Sequence, residues 1–524
     1  GEARLTVADA VAAHATATLE LSSPDGARWS VTDPTGGAWF AAGVSHKWDA
    51  ADQPFFHTTP GTTRLAVPAG PLTVVAARGL EFERMQVTVD PQPGGTATVD
   101  YRPGRRFHPA ADGWYGADLH VHLNYSGDHV LHPVDAARMQ RGEGLHLMNL
   151  AAGNLGGPLV YDAELLESTA GTDLWAEQRG DEPSVARAGL EFRNDLLGHV
   201  HGLGLTAAPA LRHTGHEGTD HPWDWPPNSV ACAQMRELGA ATTYAHPVFS
   251  PLDRTADLLA PHRTVEAREL VADAALGVVD AVELVSCFDD RGALVLYHHL
   301  LSCGLRLAAV AGTDTFLSFA HGPAPASNPP GWGRVYAQLG AAGLSVEAFT
   351  AAIRGGRTLV TNGPWPALDV DGRGPGAVLR PEPGDRLVVR GRVTGSGVRR
   401  LVLYGPDGEL AGTERDELEH EVSVGSEGAW LALAAHGDED PYTVGAPVFA
   451  HTSPVYVDVA GRRVARARSA RWCLALLDGL AELVGEHGRF DPQRRDQQLG
   501  DLLAVLDRAR AVYREVERVA PAGT

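Results

Sequence analysis

The chain has 524 residues, 44% of them hydrophobic, which is enough for about three to four domains and excludes a wholly disordered protein. Its 44 basic and 65 acidic residues give a formal charge of −21. A field of that sign disfavours nucleic acids and anionic membrane surfaces as partners. No run of about 18 or more apolar residues occurs, so no segment is predicted to span a bilayer.

The cysteines and the first residues bear on the compartment. Cys232, Cys287, Cys303 and Cys473 are scattered without a Cys-x-x-Cys pair, and we predict buried thiols, neither disulfides nor metal ligands. The sequence opens without the basic-then-apolar pattern of a secretory signal. This favours a cytoplasmic location, although a signal already removed would leave the same beginning.

Residues 1–105 are predicted to form a small antiparallel β-sandwich. Short alternating segments are separated by Gly, Pro and Asp, as is typical of strands joined by tight turns. The predicted strands cover residues 16–21, 64–67, 72–77 and 85–89. The polar, turn-rich stretch 103–113 is predicted to be a linker.

Residues 112–364 show strands alternating with helices, which predicts a parallel α/β sheet that is either open or closed into a barrel. The predicted strands cover residues 116–121, 145–150, 205–211, 240–245, 281–286, 305–311 and 358–361. The predicted helices cover residues 230–238, 264–276, 292–301 and 345–354. In such a sheet the chemistry collects at the carboxyl ends of the strands.

The rest of the chain is predicted to hold two further units. Residues 365–460 return to alternating strands, at 386–393, 400–404, 418–424 and 429–435, which predicts a second β-sandwich. Residues 461–524 carry apolar positions at helical spacing in two segments, which predicts a helical hairpin. This hairpin either packs on the body of the protein or mediates a homodimer.

The motif that carries chemistry is Gly-Ala-Asp-Leu-His-Val-His, residues 116–122. Side chains alternate along a strand, so His120 and His122 face the same way and can share one metal ion. Asp118 lies one pleat earlier and is predicted to accept a hydrogen bond from one of these imidazoles. Alone, the motif could also be a pair of hydrogen-bonded core histidines.

Two other predicted strands end in residues of the ligand type. His246 ends the strand at 240–245, and Asp314 follows the strand at 305–311. Each could be a turn former or a helix cap, but three strand ends with such side chains are better explained by one shared site. Mixed imidazole and carboxylate ligands suit zinc, manganese or iron.

Five segments resemble the PHP-domain proteins, named for polymerase and histidinol phosphatase, and among them the CehA/McbA branch of metallohydrolases. The first, residues 113–128, resembles the entry motif of the superfamily. The others are Glu-Phe-Arg-Asn-Asp-Leu-Leu-Gly-His at 191–199, Tyr-Ala-His-Pro at 244–247 with Gly-Thr-Asp at 312–314, and Gly-Arg-Thr-Leu-Val-Thr-Asn-Gly-Pro at 356–364.

The resemblance implies a distorted seven-stranded barrel with clustered metals. By the same resemblance, one metal is bound by His120, His122 and Asp314. Glu191 is implied as a bridging carboxylate, and His199 and His246 as the remaining ligands of a second metal. From the residues alone, Glu191 would be a carboxylate on a helix surface, and His199 a histidine favoured at a helix C-terminus.

The sequence departs from the superfamily pattern at two motifs. Members that bind three metals usually carry Asp-x-His at the last motif, which here reads Asp314-Thr-Phe316. Another histidine is usual at the second motif, where residues 147–151 read Leu-Met-Asn-Leu-Ala. A third metal lacks its expected ligands. We therefore expect two divalent ions, zinc before manganese or iron.

Several further residues are candidates for roles in substrate binding and catalysis. His213, His216 and His221 follow the predicted strand at 205–211 and could supply a general acid, or be simply solvated. Arg193 could bind an anionic group of the substrate, or anchor its loop by a salt bridge. Aromatic residues near strand ends could form a pocket wall or pin their loops, and they are Trp223, Trp225, Phe316, Phe319 and Trp332.

The expected function is hydrolysis of a carbamate, ester or amide bond in a small molecule by water that two metal ions activate. A phosphatase or phosphodiesterase of the PHP type is the alternative enzyme. It is less favoured because no cluster of Arg or Lys lies near the metal motifs. A second alternative is a non-catalytic metal-containing binding protein, which is disfavoured because all six ligands expected for two metals are present.

Overall fold

The computed structural model describes residues 16–521 except 126, 178–181, 250–254 and 287–289, so the prediction for Cys287 lies outside the described residues. Within that part the fold is mixed α/β, with helices and extensive sheets. Cys232, Cys303 and Cys473 are free buried thiols, as predicted. No described helix is long and apolar enough to cross a membrane.

The N-terminal part forms two sheets around one core. The sheet orders are β5-β1-β8 and β3-β4-β2-β6-β7, and every pair is antiparallel except β1 with β8. Alternate side chains of β1 pack against Trp29 and Val74 of the other sheet. The four predicted strands are confirmed. The strands are β1 (Thr16–Ser23), β2 (Ala27–Thr32), β3 (His46–Trp48), β4 (Pro54–Thr58), β5 (Gly61–Pro68), β6 (Leu72–Ala77), β7 (Met85–Val89) and β8 (Thr96–Asp100).

The described residues of the central part form twelve strands and six α-helices. Its strands are β9 (Trp114–His122), β10 (Leu147–Asn154), β11 (Val160–Tyr161), β12 (Asp173–Glu177), β13 (Ser184–Asn194), β14 (Gly198–Leu203), β15 (Ala241–Tyr244), β16 (Ala281–Val285), β17 (Ala308–Ala311), β18 (Thr315–Phe316), β19 (Arg334–Gln338) and β20 (Thr358–Thr361). Its helices are α1 (Pro133–Gly142), α2 (Ala163–Thr169), α3 (Asn228–Glu237), α4 (Leu270–Leu276), α5 (Asp290–Ser302) and α6 (Val346–Arg354). The near-complete burial of β9, β10 and β13 to β17 matches the continuous apolar runs of their sequences.

The central sheet closes on itself, but it is mixed and not parallel throughout. β9, β10 and β13 are parallel neighbours, and so are β15, β16 and β17. β18 pairs in parallel with β9 and completes the ring. Between these two groups, β13, β14 and β15 are antiparallel. Only three residues, 195–197, connect β13 to β14, and so short a connection can join only antiparallel strands.

Two predicted elements of the central part are wrong. No strand covers residues 205–211, because β14 already ends at Leu203 and the chain turns at Gly204, where φ is +84°. Leu205 and Leu211 are buried core residues of a loop, which explains the apolar run. The helix predicted at 264–276 begins only at Leu270.

The third part shares its sheet with the central part. β28 pairs with β20, so pairing continues across the predicted boundary at residue 364. A second sheet, β21-β23-β26, packs against the strands that the third part adds to the central sheet, and the two share one buried apolar cluster. The strands are β21 (Trp365–Val370), β22 (Val378–Leu379), β23 (Arg386–Thr394), β24 (Val398–Gly405), β25 (Gly408–Thr413), β26 (Glu417–Ser423), β27 (Ala429–Glu439), β28 (Pro447–Thr452) and β29 (Val455–Val457).

The chain ends in the predicted helical hairpin, formed by α7 (Ala467–His487) and α8 (Arg495–Val519). Its apolar face belongs to the same buried cluster as the central sheet and helices. The Tyr513 hydroxyl donates to the carbonyl of Val271 at 2.7 Å. The hairpin therefore packs on the body of the protein.

The N-terminal sheets also pack directly on the central part. Lys47, the only lysine of the sequence, is buried, and its Nζ donates to the carbonyl of Phe316 at 2.7 Å. Burial lowers the pKa of Lys47 to about 7. The backbone N–H of Ala50 donates to Asn328 Oδ1 at 2.8 Å. The N-terminal part thereby holds the loop that follows β18.

Candidate metal centre

His120 and His122 lie side by side at the carboxyl end of β9, as the strand alternation predicts. Both are buried, and their Nε2 atoms are 3.2 Å apart. The second nitrogen of His122, Nδ1, is 2.9 Å from the carbonyl of Ala151 on β10. This contact assigns the proton of His122 to Nδ1 and leaves Nε2 with a lone pair that faces His120.

Asp314 completes a compact group with these two imidazoles. It follows β17 in a left-handed conformation, φ +50°, and its Oδ1 is 3.4 Å from His120 Nε2 and 3.3 Å from His122 Nε2. A tetrahedral cation with bonds of about 2.0–2.1 Å has ligand atoms roughly 3.3 Å apart. The three atoms therefore have the spacing of ligands around one divalent cation, and we call His120, His122 and Asp314 the first cluster.

Glu191 lies between the first cluster and two further histidines. Its Oε2 is 3.4 Å from His122 Nε2, and its Oε1 is 3.5 Å from His120 Nε2. Oε1 is also 3.0 Å from His199 Nδ1 and 3.5 Å from His246 Nε2. One carboxylate thus faces four imidazoles, which is the position of a bridging ligand. We call Glu191, His199 and His246 the second cluster.

Glu191 and His199 are on strands, so the interpretation of both as helix residues is wrong. Glu191 is on β13 and His199 on β14, in the hairpin where Arg193 pairs with His199. His246 follows β15 with φ +26°, a conformation that costs energy for a residue with a Cβ. All six side chains that the motifs indicated are therefore buried, and each has a polar atom within 3.5 Å of at least one of the others.

Ion pairing outweighs burial and favours the charged forms of His120 and Glu191. Burial would lower the pKa of His120, but Asp314, Glu283 and Glu191 raise it well above the ordinary value. Burial would raise the pKa of Glu191, but His120 and His199 hold it well below its usual range. The carboxylates are thus ionised, as metal ligands must be.

The donor set fits divalent cations. Buried polar atoms normally have hydrogen-bond partners, yet Glu191 Oε2 accepts no hydrogen bond from any described residue. Four imidazoles and two carboxylates converge there, a composition suited to zinc, manganese or iron. Three groups with the spacing of metal ligands share His120: one with His122 and Asp314, one with Glu191 and His246, and one with His201 and Glu283.

Glu283, which the sequence reasoning missed, lies behind the ligands. Its Oε1 is 3.3 Å from His120 Nδ1 and 2.5 Å from His201 Nε2, and its Oε2 accepts from the backbone N–H of His246 at 2.7 Å. One carboxylate thus fixes a ring on β9 and the strained backbone after β15. The separation of 2.5 Å is too short for two ligands of one cation, so Glu283 and His201 form a hydrogen bond, and the same oxygen of Glu283 is in ion-pair contact with His120.

The sequence carried a signal for both missed residues. Glu283 is a single carboxylate within the apolar strand Ala-Val-Glu-Leu-Val, and a buried charge needs partners. His201 is the second histidine of His-Val-His at 199–201, which repeats the pattern of residues 120–122.

Asp118 does not orient the imidazoles, and that prediction is corrected. Its carboxylate accepts from the backbone N–H groups of His120, Thr313 and Gly331 and from the Thr313 hydroxyl, at 2.5–3.2 Å. Burial raises its pKa to about 6. Asp118 therefore fixes the turn that presents Asp314, while Glu283 contacts the ring of His120.

The three loop histidines are near the centre but outside the cavity that opens onto it. His213 forms an isolated bridge with Arg193, and its ring lies 5.7 Å from that of His216. Burial lowers the pKa of His213, and it lowers that of His216 to about 4. Neither these two nor His221 lines the cavity. The structure therefore offers no support for His213 as the general acid.

A cavity of about 320 Å³ opens onto the second cluster. Arg193 lines it, as does Phe316, whose ring lies 5.4 Å from that of His122. The remaining lining is largely apolar and comes from several loops. The lining residues are Tyr125, Leu155, Glu191, Arg193, His199, His246, Phe249, Thr264, Val265, Asp314, Phe316, Ala324, Pro325 and Ala326.

The other aromatic candidates do not line this cavity. The guanidinium of Arg494 lies 5.2 Å from the Trp225 ring. The backbone N–H of Asp224 donates to the carbonyl of Arg489, and the backbone N–H of Arg489 donates to the carboxylate of Asp224. The ring of Phe319 lies 4.6 Å from that of His321. Trp332 is buried. Of the residues considered, only Phe316 forms a pocket wall.

Comparison of the chain with models of known protein families, with curated proteins and with solved structures found no match.

Proposed function

We propose that the protein is a metal-dependent hydrolase of the PHP superfamily, of the CehA/McbA type, with a distorted seven-stranded barrel around a binuclear centre. The observation that carries the proposal is the convergence of six side chains from five separate strands or strand ends within 3.0–3.5 Å contacts. Imidazoles and carboxylates that served only stability would not need to assemble at the floor of an open cavity.

The roles of the residues follow from their contacts. The first cluster would hold one divalent ion, and His199 and His246 would hold the second, with Glu191 shared between them. Ions bound there lower the pKa of water and polarise the electrophilic group of a substrate. Glu283 keeps the ring of His120 turned so that Nε2 faces the centre. The largely apolar cavity suits a small organic carbamate, ester or amide.

Elemental analysis of purified protein, combined with chromogenic carbamates, esters and phosphoesters, tests the proposal. We expect about two equivalents of zinc, manganese or iron per chain and turnover of carbonyl substrates. His120→Ala should remove metal and turnover together. The matched control is His57→Ala, which removes a buried histidine paired with Glu143 at 2.7 Å in the N-terminal part.

Each outcome has a distinct meaning. Turnover of phosphoesters alone would show that the protein is a phosphoesterase and not a hydrolase of carbonyl substrates. A protein that takes up no divalent ion would be a binding protein at most. Turnover that survives His120→Ala would refute the centre itself.

A further inference from the structure

Arg193 presents a charged guanidinium to the cavity beside the second cluster. It lies two residues after Glu191 on β13, so both side chains project from the same face of the strand. Two residues of a strand span about 6.6 Å. The Arg193 side chain is only 10% exposed, and it lines the cavity together with Glu191.

The described partners of Arg193 leave hydrogen-bond donors unused. Its guanidinium donates to the Tyr125 hydroxyl and lies 3.4 Å from Asp195 Oδ1. Asp195 is 35% exposed and shares the same oxygen with His199 Nε2 at 3.2 Å. The buried Nε of Arg193 has no hydrogen-bond partner among the described residues. Three N–H groups of this buried cation are therefore available to another acceptor.

In the other buried arginines of the central part, every guanidinium nitrogen has an acceptor. Arg187, on the same strand, pairs with the carboxylates of Asp173 and Glu347. Arg268 donates to four backbone carbonyls at 2.6–3.0 Å. A buried guanidinium that keeps free donors toward an open cavity is typical of a site for an oxyanion.

We propose that Arg193 binds an anionic group of the substrate, a carboxylate or a phosphoryl oxyanion, about one strand repeat away from the bond that is cleaved. This inference rests on the proposed function and narrows its substrate class to a molecule with an anionic end and a mostly apolar body. The body contacts Phe249, Val265 and Phe316 in the cavity. The protein as a whole carries a charge of −21 and repels anions, so selection of such a substrate requires a local cation.

Binding of glutarate, pentanoate and 4-phosphonobutyrate to metal-loaded protein, measured by calorimetry, tests this inference. All three offer a carboxylate to the metal ions, but only glutarate and 4-phosphonobutyrate have a second anionic group for Arg193. We expect at least one of these two to bind about tenfold more tightly than pentanoate, and the tighter one identifies the oxyanion. Arg193→Met should abolish this difference and leave pentanoate binding and metal content unchanged.

Arg187→Met is the matched control, since it removes a buried arginine of the same strand whose charge is already paired. It should keep the preference for the second anionic group. Equal binding of all three ions to the wild type, or a preference that survives Arg193→Met, would overturn the anion site. Metal content is measured on the same samples. Binding that depends on Arg193 in protein that takes up no metal would sustain the anion site and refute the hydrolase.

Discussion

The two clusters of the candidate centre are held in place in different ways. The first cluster is fixed within the central sheet, where His122 contacts the carbonyl of Ala151 and Asp118 binds the turn before Asp314. The second cluster depends on the β13–β14 hairpin. Asn194 organises that hairpin, since its Oδ1 accepts the N–H groups of residues 196 and 197.

The support of the hairpin extends to the C-terminal helices. Asn194 Nδ2 donates to Thr214 Oγ1 and to Asp224 Oδ1, at 2.9 and 3.2 Å. The other oxygen of Asp224 accepts from the N–H of Arg489, in the segment between α7 and α8. One half of the centre is thus stabilised by neighbours in its own sheet, and the other half by residues from three distant segments. The halves should therefore differ in their response to substitution.

The largest expected effect separates the two clusters directly. His122→Ala removes a ligand of the first cluster and the closest partner of Glu191 Oε2, so both ions should be lost. His199→Ala removes a ligand of the second cluster only, and one ion should remain. Hydrolysis should fall by about a thousandfold or more in both variants. Elemental analysis measures the metal content and activity assays the rate of hydrolysis. Equal metal loss in the two variants would contradict the separation of the centre into two clusters.

The support of the hairpin should also weaken as pH rises from about 4.5 to 7. Glu269 donates its N–H to the carbonyl of Leu197 at 2.9 Å, and burial raises the pKa of its side chain to about 7. Burial and the charge of Glu269 also raise the pKa of Asp273. Because the folded protein holds these protons more tightly than the unfolded chain, protonation contributes to the stability of the fold. This contribution is fully present below about pH 4.5 and is lost as pH rises through about 7. For Glu269 alone the loss is roughly 3 kcal/mol.

Thermal unfolding between pH 4.5 and 8 measures this dependence. Asp273→Asn removes one of the two acids and keeps an acceptor for the Tyr244 hydroxyl, which donates to Asp273 at 2.8 Å. It should flatten the decline of stability with pH. An unchanged slope in this variant would contradict the contribution of Asp273 to the decline of stability with pH.

Glu283→Gln tests the one carboxylate that supports both clusters. It weakens the contact with His120 Nδ1 and the hydrogen bond from the N–H of His246. Carboxylates behind metal-bound histidines typically contribute about 10- to 100-fold to metal affinity, and a loss of that size is expected. Competition with a chelator measures it. Glu266→Gln is the control, since Glu266 is a buried carboxylate that accepts from the N–H of Phe249.

The smallest expected effect is that of Asp224→Ala. It leaves a buried N–H of Asn194 and the N–H of Arg489 without their acceptor, which costs about 1–3 kcal/mol of folding stability. Affinity for the second ion should fall several-fold while the first ion is retained, as metal titration would show. Asp478→Ala, which removes an exposed ion pair between α7 and α8, should leave both ions in place. An equal loss of affinity for both ions in Asp224→Ala would contradict the different support of the two clusters.

The difference between the clusters also explains what the sequence could predict. His120, His122, His246 and Asp314 stand at strand ends that hydrophobic patterning located. Glu191 and His199 were indicated only by the family resemblance, because the turn Asn-Asp-Leu-Leu-Gly was not interpreted as a hairpin connection. Their strands, β13 and β14, are buried on both faces and lack the alternation that identifies a half-exposed strand.

Contacts between distant segments were not predictable from patterning. Nothing near Glu283 in the sequence indicates that it meets His120 and the backbone of His246. The same holds for Asp118, whose partners Thr313 and Gly331 lie about 200 positions away. Spacing places side chains on faces of a strand, whereas the packing of whole elements decides which faces meet.

The single lysine offers a reporter of how the N-terminal sheets sit on the cavity loop. Lys47 is shielded, with its amine bound to the carbonyl of Phe316, a residue that lines the cavity. Burial alone lowers the pKa of Lys47, so an exposed amine returns to its ordinary pKa of about 10.4 and its reactivity increases with pH. An amine-directed label should therefore attach at Lys47 only as fast as the sheets lift away, so that the modification rate measures opening of the cavity wall.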